Sequence, residues 1–407
     1  MQLVRSTETP WTSPEQYWPT LEAATSELDP PYGVISLEAL AHNAFDMLDR
    51  AAGKPIRVAS KSVRVRAVLD ATLALPGYAG VLAYTLPEAL WLAETIPDVV
   101  VGYPTADRAA LRRLALDEEL ASRVTIMVDS VEHLDFVDAV IAPAARVPIR
   151  VCIELDASWL GPIGHIGVFR SPVHTPADAR ALAEAVVARP GFTLVGLMGY
   201  EAQIAGLVNN PAGQALRGIA VRQIQKRSIA ELATRRGEAV VAVRQVADLE
   251  FVNGGGTGSL ESTAADDSVT EIAAGSGLFG PHLFDNYTHF HPAPAASFAL
   301  SVVRKPSPKL VALLGGGWIA SGPFSADRSP RPVWPEGLAT LPREGAGEVQ
   351  TPLAGAAAEA LKVGDRVWLR HTKAGEMSEH LDNFAVVAKG AIVETVPTYR
   401  GEGKVFL

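Results

Sequence analysis

The feature that most constrains this chain is an alternation that repeats from about residue 33 to residue 284. A short run rich in Val and Ile is followed, each time, by a capped amphipathic helical segment. The strand candidates are residues 56–60, 80–84, 99–103, 125–129, 150–156, 194–200, 249–253 and 271–275. Between them lie helix starts: Thr85 with Glu88 has capping-box spacing, and Thr175-Pro176-Ala177-Asp178 sets a cap, a first-turn Pro and an acid in order. A further helix opens near Ser36. Eight βα units with apolar strands predict a closed (β/α)8 TIM-type barrel, with an open doubly wound sheet as the alternative.

Beyond about Asp285 the texture changes. Residues 297–303, 310–314, 366–370 and 384–387 read as strands separated by Gly- and Pro-rich turns, and residues 322–342 read as a long surface loop. The expected organisation is a barrel over 32–285 and a C-terminal β domain over 286–407, completed by the N-terminal arm 1–31.

A net charge of −9 argues against a nucleic-acid surface or a polybasic membrane patch. The single cysteine, Cys152, excludes an internal disulfide scaffold. Residues 1–31 lack the apolar centre of a signal peptide, and no stretch is apolar for long enough to span a bilayer. The expectation is a soluble, cytoplasmic protein.

Barrels of this kind collect their chemistry at the carboxyl ends of the strands. Read in order, those ends give Lys61, Tyr84, Tyr103, Asp129, the Glu154 and Asp156 pair, Tyr200-Glu201 and two glycine-rich loops. Lys61, with Arg64 and Arg66 following, is either an amine nucleophile toward an aldehyde or a solvated lysine at a strand end. Asn253-Gly254-Gly255-Gly256-Thr257-Gly258-Ser259 and Gly275-Ser276-Gly277 follow the seventh and eighth strands, where barrels often hold a phosphate. The alternative for each is a flexible turn. No Walker lysine follows the glycines, which argues against a nucleoside triphosphate. An aldehyde site and a phosphate site on one barrel mouth together suggest pyridoxal phosphate.

These residues, with Cys152-Ile153-Glu154-Leu155-Asp156, Gly196-Leu197-Met198-Gly199-Tyr200-Glu201 and Gly364-Asp365-Arg366-Val367, carry a resemblance over nearly the whole chain. The sequence resembles the alanine-racemase-like (fold type III) pyridoxal-phosphate enzymes, in the branch of D-threonine aldolases and D-serine dehydratases. The resemblance implies that Lys61 is the Schiff-base lysine and catalytic base. It implies a phosphate cradle of Gly256, Thr257, Gly258, Ser276 and Gly277, with Gly255 beside them, and sets Tyr200 near the pyridine ring in place of a His. His165 and Arg170 lie where the family has an Arg before a Gly. Either one reaches the cofactor, or both belong to a surface loop.

The branch also implies a divalent metal (Mn, Mg or Zn) held by a His-x-Cys or His-x-Asp pair, and here two candidates compete. His371-Thr372-Lys373 lies nearer the Gly364-Asp365 anchor but ends in a lysine. His380-Leu381-Asp382 has the right residue types, facing one way if the stretch is a strand. If His371 and Lys373 are the equivalents, the Lys373 ammonium stands where the metal charge would, with Glu376 setting its protonation. His371, His380 and Glu376 are the acid–base candidates at the substrate's β-hydroxyl.

The implied activity is a lyase acting on D-3-hydroxy amino acids through a Lys61 aldimine, as a homodimer whose only other partner is its amino-acid substrate. One rival is an amino-acid racemase or epimerase, which needs a second base; Tyr399 is the only late tyrosine, in a sequence that does not match. The other rival is a non-catalytic pyridoxal-phosphate-binding protein.

Overall fold

The computed structural model describes residues 1–161, 164–322 and 325–407, which form two compact units. The barrel unit is Met47–Ser60, Pro76–Gly275 and Phe406–Leu407; the sheet unit is Met1–Asp46, Lys61–Leu75 and Ser276–Val405.

In chain order, β1 (Tyr32–Ser36) belongs to the sheet unit. The barrel unit then carries β2 (Ile56–Ala59), β3 (Tyr78–Ala83), β4 (Val99–Val101), β5 (Val124–Val128) and β6 (Ile149–Glu154). A small hairpin follows, β7 (Trp159–Gly161) and β8 (Gly164–Ile166), then β9 (Phe192–Gly199), β10 (Phe251–Gly254) and β11 (Glu271–Ala274). The sheet unit resumes with β12 (Ala296–Ser307), β13 (Leu310–Leu314), β14 (Arg331–Trp334), β15 (Ala339–Thr340), β16 (Gln350–Ala354), β17 (Arg366–Arg370), β18 (Asn383–Ala388) and β19 (Ala391–Pro397).

Apart from the hairpin, the barrel-unit strands pair in parallel and close on themselves, β11 returning to β2. This is the predicted (β/α)8 barrel. Its strands are buried on both faces, which is why they read as apolar runs rather than as alternation. Val100, Met127, Cys152, Val195, Met198 and Phe251 form one buried cluster, and a Cβ at Gly196 would lie 2.3 Å from the Phe251 ring. Both predicted caps form. Thr85 accepts from the Glu88 N–H (3.3 Å), and Thr175 with Asp178 makes a complete capping box.

The amino-terminal end of the barrel is closed by charge. Arg57 on β2 is 2% exposed and donates through Nε and Nη2 to both oxygens of Glu271 on β11 (2.7 and 2.9 Å). Nη2 also reaches Asp98 (2.8 Å), and Asn253 donates to Glu271 (2.8 Å). Gly80, at φ +72°, leaves room for the guanidinium: a Cβ there would stand 2.4 Å from Nη1.

The nine-stranded sheet runs β15-β16-β13-β12-β1-β18-β19, with β17 pairing β12 and β14 pairing β17. Tyr17, Trp18 and Leu21 of the helix Pro14–Ala24 pack on it with Val34, Trp368 and Val387, so the N-terminal arm shares this unit's core. Arg366 donates to the Thr25, Ser26 and Leu28 carbonyls just past that helix (2.9, 2.6 and 2.9 Å).

One expectation is corrected here. Residues 322–342, read as loop (323 and 324 lie outside the described residues), contain a short 3-10 helix and the strands β14 and β15. Pro332 sits in β14, which pairs only with β17, and an edge strand tolerates a residue that cannot donate to a ladder. No described helix is long and apolar enough to cross a membrane.

Candidate active site

Within the barrel unit the strand ends assemble a polar mouth. Asp129 follows β5, Glu154 ends β6 and Asp156 lies two residues on. Asp156 accepts from the Ser158 N–H (3.0 Å) and Oγ (2.7 Å) and lies 2.9 Å from His174 Nδ1. Asp129 lies 3.1 Å from His133 Nδ1. Glu154 is buried, and burial pushes its carboxyl up to about 7. Asp129 and Asp156 add to the rise, against Arg170 and His133.

A carboxyl raised in the folded state stabilises the fold fully below about pH 4.5, and that contribution is lost as pH rises through about 7. Glu154→Gln is therefore expected to leave stability at pH 5 nearly unchanged and to raise it at pH 8 by about 1–3 kcal/mol. Urea unfolding at the two pH values checks this; an equal effect at both would show that Glu154 is not buried as an acid.

Tyr200 follows β9. Burial raises its phenol to about 12, with Tyr103 and Glu201 adding and Arg170 opposing, so it stays neutral at physiological pH. The Arg170 guanidinium lies 5.8 Å from the Tyr103 ring centre. His165 is on β8, with its ring 4.4 Å from Phe169 and its Nε2 buried without a hydrogen-bond partner. The turn between β7 and β8, residues 162 and 163, lies outside the described residues.

The first glycine loop lies against Tyr200. Gly255 has φ +85°, and a Cβ at Gly256 would lie 2.9 Å from Ala205 Cβ and 3.3 Å from Tyr200 Cε2. Only bare backbone fits there, as a close-wrapped anion requires. Sequence reasoning missed what fixes this loop: the buried Glu201 accepts from the Gly255 N–H (2.9 Å) and from Thr263 Oγ1 (2.6 Å). Arg236 stands behind it, 3.7 Å from Glu201 and 3.4 Å from Asp266, and a Cβ at Gly254 would overlap its Nη1 at 2.1 Å. The visible signal was a carboxylate directly after a barrel strand; its partner loop was not visible.

Within the sheet unit, Lys61 lies in a 3-10 turn, Ser60–Ser62, that begins where β2 ends. The far end of the chain holds this turn. A Cβ at Gly375 would stand 2.4 Å from the Lys61 carbonyl oxygen, Ser378 donates to the Val63 carbonyl (2.8 Å) and Tyr399 N–H to that of Arg64 (2.9 Å). Arg64 takes φ +53°, donates to the Lys61 carbonyl (3.1 Å) and pairs with Glu379.

His371 is fully buried; burial lowers it to about 4, with Arg370 adding and Glu376 and the Ala296 backbone opposing. Glu376 accepts from the N–H groups of Thr372 (3.0 Å), Lys373 (2.7 Å) and Ala374 (2.8 Å), and so builds the loop that carries them. His371 and Lys373 lie past the end of β17.

The geometry expected of the His380 and Asp382 pair is absent. His380 closes a 3-10 helix, its ring stacked on Trp318 (5.0 Å, 2°), and Asp382 pairs with Arg400 at the surface (3.3 Å). The strand that would have turned both to one side starts only at Asn383. No group of three or more metal-binding His, Cys, Asp or Glu side chains occurs among the described residues. His380 and Asp382 therefore do not stand together as a donor pair.

Known proteins share this fold. The chain is 29% identical over 262 residues to a 3-hydroxy-D-aspartate aldolase of Paracoccus denitrificans, 62% of this chain and 61% of that protein. It is 28% identical over 257 residues to a D-threonine aldolase of Arthrobacter sp, 59% of each. The matched stretch thus spans about three fifths of these curated relatives. Among solved structures, the fold is shared with D-threonine aldolase from Filomicrobium marinum (TM-score 0.76, 20% identity, 94% of this chain and 97% of that one). It is shared as well with D-threo-3-hydroxyaspartate dehydratase from Delftia sp. HT23 (TM-score 0.70, 19% identity, 91% and 97%). Residues 35–282, more than half the chain and including Lys61, Tyr200 and both glycine loops, match the alanine racemase N-terminal domain, and the chain belongs to that family.

Proposed function

We propose that this chain is a pyridoxal-phosphate-dependent lyase that cleaves or dehydrates D-3-hydroxy amino acids. The observation that carries the reading is the Lys61 turn: a lysine leaving a barrel strand, its backbone fixed by the packed Gly375. The relatives named as aldolases support the substrate class.

Lys61 would hold the cofactor's aldehyde carbon, and Gly255 to Gly258 with Ser276 and Gly277 would hold its phosphate through backbone N–H groups and short hydroxyls. When bound, the cofactor supplies an electron sink for charge developing at the substrate's α-carbon. Tyr200, a neutral phenol, would lie beside the ring, and Arg170 and His165 would contribute from the segment after β6. As a free amine, Lys61 would move the proton at the substrate's α-carbon. His371, kept neutral by burial, is the group that takes a proton from the β-hydroxyl in an aldolase, or returns one in a dehydratase. Glu376 shapes the loop carrying His371 and Lys373, accepting the Lys373 N–H; the Lys373 ammonium would be the positive charge offered to the substrate hydroxyl. The protein works in the cytoplasm as a homodimer; a sedimentation mass near the 43.1 kDa of one chain would remove the dimer.

The test is turnover of D-threonine, D-3-hydroxyaspartate and D-serine beside their L-isomers. Glycine plus an aldehyde marks the aldolase, and ammonia plus a keto acid the dehydratase. D-isomer turnover should exceed L-isomer turnover by at least about 100-fold, the range set by one misplaced reacting group. Interconversion of the isomers without cleavage would replace this reading with a racemase.

A further inference from the structure

The glycine loop owes its shape to a residue that makes no use of its own charge elsewhere. Glu201 is 1% exposed and directly follows the cofactor-side Tyr200. Its two oxygens divide between two partners: Oε2 takes the Gly255 N–H and Oε1 the Thr263 hydroxyl. Thr263, whose single proton goes to Glu201, accepts from Ser259 Oγ (3.2 Å), and Ser259 Oγ accepts from the Gly256 N–H (3.1 Å). Two consecutive loop amides are therefore set, one directly and one through a two-hydroxyl relay, by a single carboxylate on the neighbouring strand.

Burying a carboxylate is costly unless its lone pairs are used. Arg236, 96% buried, lies 3.7 Å away, close enough to offset the charge but too far for a hydrogen bond. Arg236 thus offsets the charge while the carboxylate's hydrogen bonds go to the loop and its relay.

We infer that Glu201 is the positioning residue of the phosphate loop, setting the peptide planes of Gly255 and Gly256 so that the loop closes on a phosphate monoester. This rests on the pyridoxal-phosphate reading and deepens it. A merely structural Glu201 would weaken every ligand of the mouth alike. A positioning Glu201 weakens only those that carry the phosphate.

The experiment is equilibrium binding of pyridoxal phosphate and of pyridoxal, which lacks the phosphate, to the full chain and three variants. Glu201→Ala is expected to raise the Kd for pyridoxal phosphate at least roughly tenfold, the loss of one hydrogen bond to a charged group, and that for pyridoxal less than about twofold. Glu201→Gln keeps an acceptor for Gly255 and a polar partner for Thr263, and should restore binding to within about threefold. Thr263→Val removes the relay at nearly constant volume and keeps the test alive if the alanine variant does not fold; about a threefold loss, again confined to the phosphate-bearing ligand, is expected. Equal losses for both ligands, or none for either, would overturn the role of Glu201 while leaving the cofactor reading intact. A wild-type chain that holds pyridoxal as tightly as pyridoxal phosphate would remove the phosphate loop itself, and this inference with it.

Discussion

Lys61→Ala is expected to lower turnover of D-3-hydroxy amino acids by at least about 10³-fold, because one amine both anchors the cofactor and moves the α-proton. Borohydride treatment of the wild type followed by mass spectrometry should leave a pyridoxyl group on the peptide containing Lys61, and none on the variant. Pyridoxal phosphate should still bind the variant without a covalent bond, through its phosphate loop. Lys61→Arg should lose as much activity as Lys61→Ala, since guanidinium keeps the charge but is not a nucleophile at neutral pH. A small primary amine added to Lys61→Ala should return part of the rate. Stability should change by less than about 1 kcal/mol, since the side chain is only half-buried. An active arginine variant would end the assignment.

The largest stability effect is expected at the opposite end of the barrel. Glu271→Ala leaves the Arg57 guanidinium buried at 2% exposure with its bidentate partner gone, which costs about 3–5 kcal/mol. Asp98→Ala removes a contact to the same guanidinium, but Asp98 is 48% exposed and water screens it, so about 1 kcal/mol or less is expected. Replacing both members of the buried pair, Arg57→Met with Glu271→Leu, should recover most of the loss, because no charge is then left uncompensated. Chemical denaturation of the four proteins decides it. Equal losses for Glu271→Ala and Asp98→Ala would mean the network acts as a surface pair.

Sequence reading succeeded where the determinant is local. The eight barrel strands announce themselves because both faces are buried, and Thr85 and Thr175 mark helix starts through bonds spanning three residues. In the sheet unit, β13 and β17 were legible as apolar runs. β14 and β16 carry Pro332 and Pro352, and β19 is largely exposed, so neither period nor composition marked them.

The candidate site divides the same way. Lys61 and the glycine loops were readable because each is defined by its place after one strand. The pin on Gly255 was not, since Glu201 and Thr263 stand 54 and 62 residues from their partners. Arg235 and Arg236 lie mid-way along the helix Ala215–Arg244, where an arginine pair ordinarily suggests a solvated face; both are buried. His380 and Asp382 misled because a spacing of two means one face only in extended chain, and the backbone there is turning.

The packing of the Lys61 turn has a consequence for the order of synthesis. Val63 is held by Ser378, 315 positions further along, and Arg64 by Tyr399, later still. A nascent chain on the ribosome has Lys61 early but lacks the clamp that gives this turn its final shape until residues more than 300 positions later are made. An aldehyde-bearing cofactor is reactive toward any exposed amine, so late maturation delays capture until the finished turn can receive it. Ribosome-stalled chains ending before residue 371 should therefore hold pyridoxal phosphate loosely, and chains that include residue 399 firmly.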